Sequence, residues 1–456
     1  MAVHEADLVV LGGGSGGYAA ALRAAELGSS VVIVEQDKLG GTCLHRGCVP
    51  TKALLHAGEV ADNTRDAAAV GVRATWEGVD VPALTAYREA IVAKKHKGLQ
   101  GLIAARGITV VHGAGTLEQG PAVRVGDDLY RGRDVVVATG SYTRTLPGID
   151  IGGRILGSEQ ALELPEIPAH VAVLGGGVIG VEFASLWRSL GADVTVIEAL
   201  PTLLPADDEV IGKTLERAFR RRGIRTVLGT PVSAVTADED RVVVRLADDA
   251  EIAADALLVA VGRAPATDGL GLEAAGVGLD RGFVVVDDDL RTAADHVWAV
   301  GDIVAGPQLA HRGFQQGIQV AERIAGRRPV RVPDAHIPRV TYSSPEAASV
   351  GLTEAAARAL HGDAITTYEY NLAGNAKSEI LGTAGIVKVV RHVDGPVVGI
   401  HMVGDRVGEL IAEGQLIVGW EAHPEDVTPF LHAHPTQSEA LGEALLALAG
   451  SPLHTL

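Results

Sequence analysis

A glycine-rich strand–helix–strand pattern occurs twice in this 456-residue chain and constrains its fold more than any other feature. The first copy, residues 7–35, reads DLVVLGGGSGGYAAALRAAELGSSVVIVE, and the second, residues 171–198, reads VAVLGGGVIGVEFASLWRSLGADVTVIE. In both, an apolar strand runs into Gly-x-Gly-x-x-Gly, a helix follows that a later glycine can end, and a second strand closes the unit. Equivalent positions, such as Gly14 and Gly177, are 163 residues apart. The repeat predicts an α/β fold with two Rossmann-like dinucleotide-binding domains.

The glycines and the terminal acid of each unit have separate roles in binding a dinucleotide. The first glycine allows the turn, the second lets a pyrophosphate approach the helix N-terminus, and the third lets the helix pack on the strand. The acid is expected to accept a hydrogen bond from a ribose hydroxyl. The chain is predicted to bind two dinucleotides, or one dinucleotide and a similar molecule. The candidate cofactor-binding residues are Gly12, Gly14, Gly17, Glu35, Gly175, Gly177, Gly180 and Glu198.

The residues at the end of the second unit favour NAD over NADP. The carboxylate of Glu198 would repel a 2′-phosphate, whereas a ribose 2′-hydroxyl can donate to it. The segment that follows, ALPTLLP, contains no Arg or Lys to bind such a phosphate. The second unit is therefore predicted to bind NAD.

Both cysteines of the chain lie just after the first unit, in the block GGTCLHRGCVPTK at residues 40–52. On a regular helix, residues five apart have Cα atoms about 8.6 Å apart, which is too far for a disulfide that needs roughly 4.4–6.8 Å. The backbone between Cys43 and Cys48 must therefore bend, and Gly47 can supply the bend. Pro50 suits the first turn of a following helix, so Cys48 is expected just before a helix N-terminus that stabilises its thiolate, with help from the Arg46 cation. The pair is interpreted as redox-active.

Composition excludes several other classes of protein. Two cysteines cannot form the disulfide framework of a small secreted protein, and only His45 and His56 lie near them as further zinc ligands, so no metal site is predicted. The net charge of −18 argues against nucleic-acid binding, and the basic run at 217–225 is interpreted as a solvated helix face. No targeting segment and no apolar run of about 18 residues is visible, so a cytoplasmic protein without a membrane span is expected.

Other segments complete the predicted organisation. Apolar strand patterns at 134–141, 255–267 and 292–304 each run into glycine-containing loops, and the proline-containing stretch 147–170 is predicted to be a linker. From about residue 336 the alternating strands AGIVKVVRH and GPVVGIHMVG, followed by helices, predict a separate C-terminal α+β domain.

These motifs resemble those of the FAD-dependent pyridine nucleotide–disulfide oxidoreductases, and within that family most resemble the dihydrolipoyl dehydrogenases of 2-oxo-acid dehydrogenase complexes. The resemblance covers nearly the whole chain and rests on GGTCLxxGCVPTK, GGGVIGVE, GDIVAGPQLAH, YSSPEAASVG and HAHPTQSE. It implies a discontinuous FAD domain at 1–148 and 269–335, an NAD domain at 149–268, and an interface domain at 336–456. It also implies a homodimer with active sites shared between subunits.

The resemblance implies roles for individual residues. FAD would bind the first unit, with Glu35 at its adenosine ribose and Asp302 at its ribityl chain, while Ala310 and His311 would lie near the pyrimidine end of the flavin. NAD would bind the second unit. Lys52 and Glu182 would form an ion pair beside flavin N5. Further cofactor-binding candidates are Gly115, Thr139, Gly140 and Gly262.

In the implied reaction, dihydrolipoamide on a lipoyl-bearing acyltransferase or carrier protein is oxidised to lipoamide, and NAD⁺ is reduced to NADH. His434, oriented by Glu439, would remove a substrate thiol proton and act on the disulfide of the partner subunit. The substrate thiolate would attack Cys43, which leaves Cys48 as a thiolate against the flavin. The spacing Thr436-x-x-Glu439 is also a helix-capping signature, which is the alternative role for this carboxylate.

Three alternatives stay open from the sequence. They are an NAD(P)H-dependent reductase of another low-molecular-weight disulfide, an NADH-dependent quinone or dye reductase that does not use the thiols, and a binding subunit of a multienzyme assembly. Glu198, which favours NAD over NADP, argues against a reductase of another disulfide. The intact cysteine and histidine blocks argue against a quinone or dye reductase that does not use the thiols. Departures from the family pattern at His45, Arg46, Ala266 and Gln316 bear on cofactor affinity or flavin potential, and not on the reaction class.

Overall fold

A computed structural model describes residues 2–455. Its helices, in chain order, are α1 (Ser15–Glu26), α2 (Gly41–His45), α3 (Cys48–Asp66), α4 (Val81–Ala105), α5 (Ser158–Ala161), α6 (Val178–Ser189), α7 (Glu209–Arg221), α8 (Ala310–Ile324), α9 (Glu354–His361), α10 (Ala376–Ile380), α11 (Val407–Gly419), α12 (Pro424–Val427) and α13 (Glu439–Leu448). Short 3₁₀ turns occur at Ala67–Val70, Gly301–Ile303, Asp334–His336, Gly362–Ala364 and Leu372–Gly374.

The strands, in chain order, are β1 (Val3–Leu11), β2 (Val31–Glu35), β3 (Thr109–His112), β4 (Gly115–Glu118), β5 (Ala122–Val125), β6 (Asp128–Val137), β7 (Ser141–Thr143), β8 (Ile155–Leu156), β9 (His170–Leu174), β10 (Asp193–Glu198), β11 (Arg225–Leu228), β12 (Val232–Ala237), β13 (Val242–Leu246), β14 (Glu251–Ala254), β15 (Ala256–Val259), β16 (Arg263–Pro265), β17 (Leu279–Asp280), β18 (Phe283–Val284), β19 (Val297–Ala299), β20 (Arg339–Thr341), β21 (Glu346–Gly351), β22 (Ile365–Asn371), β23 (Ile386–His392) and β24 (Val397–Gly404).

The chain forms two compact units, each made of several segments. The first contains residues 2–54, 82–144 and 263–331, and the second contains residues 55–81, 145–262 and 332–455. The predicted domain boundaries stay predictions. No helix within residues 2–455 combines the length and the apolar character needed to span a bilayer.

The first unit is built on a mainly parallel sheet in the order β3-β2-β1-β6-β5-β4, with β19 also paired to β6. Strands β2, β1, β6 and β19 run parallel, whereas β5 pairs antiparallel with β6 and β4. Every residue of β2 is buried, as expected of a parallel strand covered on both faces. Helices α1 and α8 pack closely, because a Cβ at Gly317 would overlap the carbonyl oxygen of Gly16. The first predicted dinucleotide-binding unit is confirmed as strand, helix and strand.

The second unit contains the other Rossmann-like sheet and the C-terminal domain. Its parallel sheet has the order β11-β10-β9-β15-β8, and an antiparallel sheet has the order β20-β21-β24-β23-β22. A further antiparallel sheet contains β12, β13 and β14. The predicted α+β character after residue 336 is therefore confirmed. The prediction of a plain linker at 147–170 is wrong in part, because this stretch contains α5 and also β8, whose backbone pairs with β15 and extends the parallel sheet.

A buried ion cluster within the second unit joins α7 to the antiparallel sheet. Lys388 on β23 is 4% exposed, and Asp208, which caps the N-terminus of α7, is 2% exposed. The Lys388 Nζ lies 2.9 Å from Asp208 Oδ1 and 2.7 Å from Glu354 Oε2. Burial works against the ammonium, but the two carboxylates outweigh it and raise the pKa of Lys388. Burial likewise opposes the Asp208 carboxylate, yet hydrogen bonds from the Glu354 N–H and Lys388 lower its pKa.

Replacing the central cation should destabilise the protein. We expect Lys388→Met to lower the free energy of unfolding by about 3–5 kcal/mol at neutral pH, because it leaves the buried Asp208 carboxylate and the partly exposed Glu354 carboxylate without their cation. The Lys388 hydrogen bond also lowers the pKa of Glu354. Since the folded-state pKa of both carboxylates is lowered, their contribution is present above the unfolded-state values and is lost as pH falls through the folded-state values. The difference from wild type should therefore shrink below about pH 4.

Chemical denaturation at several pH values measures this effect. Lys213→Met is the matched control, because Lys213 forms an exposed pair with Glu209 on α7 and should change stability by less than about 1 kcal/mol. Equal losses in the two variants would contradict the assignment of the buried cluster as a stabilising element.

Candidate active site

The first glycine-rich turn has the geometry that its sequence predicts. Gly12 has φ of 103°, and a Cβ there would lie against the carbonyl oxygen of Ala138. A Cβ at Gly17 would overlap the carbonyl oxygen of Gly12 itself. In contrast, a Cβ at Gly14 would meet nothing within 4 Å. The turn itself requires the outer two glycines, while the middle one leaves open space in front of α1.

The second turn repeats this geometry. Gly175 has φ of 113°, and a Cβ there would overlap the carbonyl oxygen of Ala260. A Cβ at Gly180 would overlap the carbonyl of Gly175, and a Cβ at Gly177 would again meet nothing within 4 Å. Helices α1 and α6 both begin directly after the middle glycine, without a hydrogen bond from a capping side chain. Both N-termini thus have N–H groups and space that fit a pyrophosphate.

The terminal acids have a structural role that sequence reasoning missed. Glu35 Oε2 accepts a hydrogen bond from the Gly13 N–H at 2.6 Å, and Oε1 accepts one from the Asp37 N–H at 2.8 Å. Glu198 makes the equivalent bonds with the N–H groups of Gly176 and Leu200, at 2.7 and 2.8 Å. Burial raises the pKa of Glu35. Each acid therefore fixes the turn beside it, and its contact with a ribose stays a prediction.

Two glycine variants in the second turn should distinguish a glycine needed for stability from a glycine needed for nucleotide binding. Gly180→Ala should lower the free energy of unfolding by about 1–3 kcal/mol, because its Cβ overlaps backbone. Gly177→Ala should cost less than about 1 kcal/mol, yet weaken pyridine nucleotide binding about tenfold or more by filling the approach to α6. Thermal unfolding without nucleotide and NAD titration of the purified protein measure both. Normal NAD affinity in Gly177→Ala would contradict this assignment of the second turn.

The cysteine block is bent as predicted and packs on the first turn. Cys43 lies on α2, the chain bends at residues 46–47, and α3 begins at Cys48, two residues earlier than predicted. Cys48 is thus the first residue of the helix, and Pro50 lies in its first turn. The Gly40 N–H donates to the Gly13 carbonyl at 2.9 Å, so the block is held against the first glycine-rich turn.

The ionisation of Cys43 depends on the groups packed around it, Cys48 among them. A hydrogen bond with Cys48 and burial raise the pKa of the Cys43 thiol, while the Lys52 ammonium and the Ser15 hydroxyl oppose the rise. Arg46 forms an ion pair with Asp37, and the cation that favours the Cys43 thiolate is Lys52. The predicted help from Arg46 to Cys48 stays a prediction.

Two α1 side chains near the thiols were missed by sequence reasoning. Ser15, the first residue of α1, forms a hydrogen bond with Cys43. The Tyr18 phenol interacts electrostatically with both Cys43 and Cys48. Burial, together with the charges of Cys43 and Cys48, raises the pKa of Tyr18 to about 12. The signal available in sequence was their place inside the motif GSGGY, directly after the middle glycine.

The predicted ribityl carboxylate, Asp302, is held by a chain of polar contacts. The Ser141 hydroxyl donates to Asp302 Oδ2 at 2.6 Å and accepts from Arg263 Nε at 2.7 Å. The neighbouring Gly301 N–H donates to Gln316 Oε1 at 2.8 Å. Gln316 is one of the residues that depart from the family pattern, and its side-chain amide still orders the Gly301–Asp302 turn.

Ala266, which also departs from the family pattern, forms hydrogen bonds through its backbone. Thr139 Oγ1 donates to the Ala266 carbonyl at 2.8 Å, and the Ala266 N–H donates to the Gly140 carbonyl at 2.9 Å. Loss of a side chain at this position therefore leaves the loop contacts intact. The remaining candidates in the first unit are Gly115, which begins β4, and Ala310 and His311, which begin α8.

Glu182 lies in the second unit, on the buried face of α6. It is 3% exposed, and its Oε1 accepts a hydrogen bond from the Tyr342 N–H at 3.0 Å. One turn later, Ser185 Oγ accepts from the Ser344 N–H at 2.8 Å. Helix α6 thus holds the YSSPE segment. The predicted Lys52–Glu182 ion pair stays a prediction, as does the role of Gly262, which has φ of 112°.

The basic run at 217–225 is not only a solvated helix face, so that interpretation is wrong in part. The Arg222 side chain points inward and donates to Ser185 Oγ at 2.7 Å, to Asp62 Oδ2 at 2.8 Å and to Ser189 Oγ at 2.7 Å. Burial lowers the pKa of Arg222. Because Arg222 ends α7 instead of extending it, its side chain can reach into this network.

His434 is held in one orientation by Glu439. Its Nδ1 lies 2.8 Å from Glu439 Oε1, while Glu439 Oε2 accepts from the Thr436 N–H at 2.7 Å. Because α13 begins at Glu439 itself, after Ser438, the predicted capping box with Thr436 as N-cap is not formed, and the catalytic role of the carboxylate stays a prediction. Asn375, which sequence reasoning missed, donates to the Thr436 carbonyl at 3.0 Å. Because Nδ1 donates to a carboxylate, the neutral ring has its basic lone pair on Nε2. The side chain is 72% exposed, so Nε2 is accessible to a substrate.

The chain is similar to known proteins over nearly its whole length. The profile described as pyridine nucleotide-disulphide oxidoreductase matches residues 6–317, and that of the dimerisation domain of the same group matches residues 337–445. Similar curated proteins are the dihydrolipoyl dehydrogenases of Bacillus subtilis, 37% identical, and Thermus scotoductus, 38% identical, each with 99% of both chains covered.

Solved structures with the same fold include LpdA from Mycobacterium tuberculosis, with a TM-score of 0.90 and 28% identity over 98% of this chain and 99% of that one. Another is the HOCl-induced flavoprotein disulfide reductase RclA from Escherichia coli, with a TM-score of 0.86 and 27% identity over 96% and 99%.

Proposed function

The chain belongs to the pyridine nucleotide–disulphide oxidoreductase family, and on that premise we propose that it oxidises dihydrolipoamide to lipoamide while reducing NAD⁺ to NADH. The observation that carries the proposal is the Cys43–Cys48 pair on a bent segment against the first glycine-rich turn, together with a histidine oriented by a carboxylate. Full-length similarity to several dihydrolipoyl dehydrogenases supports the choice of substrate.

The family implies FAD and a pyridine nucleotide, and the described residues fit both. We propose that FAD lies on the first turn, with Gly14 at its pyrophosphate and Asp302 at its ribityl chain, and that NAD lies on the second turn at Gly177. Bound flavin would accept the electron pair of the cysteine dithiol and pass it to the nicotinamide as hydride. The open spaces at the two middle glycines and the ordered Asp302 carboxylate support this arrangement.

The protein residues would perform the thiol chemistry. His434 Nε2 takes the proton of one substrate thiol, because only the thiolate is an effective nucleophile. That thiolate attacks the Cys43 sulfur of the oxidised enzyme, forms a mixed disulfide and releases Cys48 as a thiolate. The second substrate thiol loses its proton as it attacks the substrate sulfur bonded to Cys43, which forms the S–S bond of lipoamide and breaks the mixed disulfide. Cys43 takes up that proton and is left as the thiol. Two electrons pass from the substrate dithiol to the enzyme disulfide, and the raised pKa of Cys43 suits its role as the thiol.

The dimerisation-domain match supports a homodimer, in which His434 of one subunit would serve the disulfide of the other. A lipoyl-bearing acyltransferase or carrier protein would then be the physiological partner.

A substrate panel on the purified holoenzyme tests the proposed function. Dihydrolipoamide with NAD⁺ should give the highest kcat/KM, above NADP⁺ and above other low-molecular-weight disulfides tested with NADH or NADPH. Preference for another disulfide would favour a disulfide reductase role, of the kind that the name of the Escherichia coli protein RclA describes. NADH oxidation by quinones or dyes without lipoamide activity would favour a reductase that does not use the thiols.

A further inference from the structure

The loop before α13 carries His434, and its surface gives the imidazole little support. Residues 433–435 are exposed, and the His434 side chain itself is 72% exposed. Packing against neighbouring side chains therefore contributes little to the orientation of the ring. The ring is held instead by a series of hydrogen bonds, which leads from the loop into the buried interior of the second unit.

The series passes from His434 through one backbone residue to a buried amide. His434 Nδ1 donates to Glu439 Oε1 at 2.8 Å, and Glu439 Oε2 accepts from the Thr436 N–H at 2.7 Å. The Thr436 carbonyl in turn accepts from Asn375 Nδ2 at 3.0 Å. Asn375 is 4% exposed and lies 61 residues before Thr436 in the chain. Thr436 thus connects the carboxylate that orients the imidazole to a side chain of another segment.

The Asn375 amide has one orientation, which directs its NH₂ group at the loop. Its Oδ1 accepts from the Ser378 N–H at 2.9 Å and from the Ser378 hydroxyl at 3.1 Å, at the start of α10. Two donors on the oxygen side leave the NH₂ group to face the Thr436 carbonyl. Ser378 is 0% exposed, so these bonds are shielded from water. Asn375 is therefore a fixed donor to Thr436.

Apolar packing holds both ends of this contact. Leu372, which precedes Asn375, is 2% exposed and belongs to the same hydrophobic cluster as Ala440 and Leu441 at the start of α13. A shift of Asn375 relative to Glu439 would disturb this close-packed core. The core of the C-terminal domain is thus connected to an exposed histidine through Asn375.

We propose that Asn375 is a positioning residue for the catalytic base. By holding Thr436 it keeps the Glu439 carboxylate in place, and the carboxylate keeps His434 Nε2 presented to the substrate thiol. This inference rests on the proposed function, in which His434 takes the proton of that thiol. Without the Asn375 bond the histidine is still present, but its ring samples orientations from which proton transfer is slow.

Asn375→Ser tests this role, because serine is an equally good N-cap for α10 but has no NH₂ group to reach Thr436. In the holoenzyme we expect kcat for dihydrolipoamide to fall about tenfold to a hundredfold, with KM changed less than about twofold. Reduction of the enzyme by dihydrolipoamide in stopped flow should slow by the same factor. Electron transfer from NADH to an artificial dye should keep its wild-type rate, because this route does not need the substrate thiolate.

A double-mutant cycle separates positioning from a general loss of structure. If Asn375 acts through His434, adding Asn375→Ser to His434→Gln should slow the residual dihydrolipoamide oxidation by less than about twofold, because the base is already absent. A defect of the fold would instead slow both backgrounds by the same factor. Asn375→Asp, which keeps the size and the cap but lacks the donor, should lose kcat as Asn375→Ser does, and it replaces that variant if serine prevents folding.

The matched control is Asn371→Ser on the same segment. Asn371 caps the 3₁₀ turn Leu372–Gly374 in a similar way, by accepting from the Ala373 N–H at 3.0 Å, but its side chain is exposed. This variant should keep kcat for dihydrolipoamide within about twofold of the wild-type value.

Several outcomes would overturn the positioning role while leaving the proposed function standing. They are unchanged kcat in Asn375→Ser, an equal loss of kcat in Asn371→Ser, equal losses with and without His434, and an equal loss of dye reduction. A wild-type holoenzyme that does not oxidise dihydrolipoamide would instead overturn the proposed function itself.

Discussion

Dihydrolipoamide oxidation by the His434→Gln variant is expected to be about 10²–10⁴-fold slower than by wild type, the usual contribution of general base catalysis. Glu439 accepts from Nδ1 and so fixes the tautomer that leaves Nε2 basic. Glutamine is similar in size and polarity, but it cannot take a proton from a thiol. Since the thiolate is the attacking species, the step that opens the enzyme disulfide loses its base.

Two readouts distinguish loss of the base from loss of the fold. Electron transfer from NADH to an artificial dye should survive in His434→Gln, because this route does not need the substrate thiolate. The acid limb of the pH profile of kcat/KM for dihydrolipoamide, which a titrating base produces, should disappear. His432→Gln is the matched control, because His432 lies on the same loop and bonds Glu413 at 2.8 Å instead. Unchanged dihydrolipoamide turnover in His434→Gln would place the base elsewhere.

Cys48→Ser is expected to abolish dihydrolipoamide oxidation and also the long-wavelength absorption band that two-electron reduction should produce in wild type. A serine hydroxyl cannot form the disulfide that accepts electrons, and it stays protonated where the Cys48 thiolate would face the flavin. Hydrogen bonding with Cys48 contributes to the raised pKa of Cys43, so the variant should also have a lower Cys43 pKa. Alkylation of Cys43 at neutral pH should therefore be faster in Cys48→Ser than in reduced wild type.

The partner variant separates the roles of the two sulfurs. Cys43→Ser should also fail to oxidise dihydrolipoamide, but it should show the long-wavelength band without added reductant, because Cys48 cannot form the disulfide and can ionise to the thiolate beside the flavin. Absorption spectra of the two holoenzymes, with stopped-flow reduction, measure this difference. Persistence of the band in Cys48→Ser, or its absence in Cys43→Ser, would contradict the assignment of Cys48 as the sulfur that faces the flavin. Full lipoamide turnover in either variant would show that the thiols are not on the reaction path.

The predictions from sequence that the structure confirms depend on short-range rules. The first and third glycines of each turn are required where a Cβ would overlap backbone, and the middle ones border open space. The alternating patterns AGIVKVVRH and GPVVGIHMVG correctly predicted two strands, which are β23 and β24. The bend between the cysteines follows from helix geometry and from the dimensions of a disulfide. Each of these inferences uses a short local pattern, although the carbonyl groups that leave no room for a Cβ at Gly12 and Gly175 belong to the distant residues Ala138 and Ala260.

The errors and omissions involve partners that are far apart in sequence. Arg222 looks like part of a solvated basic run until Asp62, 160 residues away, is placed beside it. The stretch before β9 resembles a linker because β8 is only two residues long and becomes a strand through pairing with β15. Asn375 has no motif of its own, and its contact with Thr436 appears only when the sheet and α13 are assembled.

By itself, the sequence determined the two dinucleotide-binding turns, the bent dithiol segment and the division into α/β and α+β parts, because backbone sterics and side-chain periodicity act between near neighbours. Only the tertiary structure decided that the terminal acids fix their own turns, that Lys52 and Ser15 oppose the raised pKa of Cys43, and that His96 meets His45. These properties come from burial and from charges brought together by packing, and neither can be read from spacing along the chain.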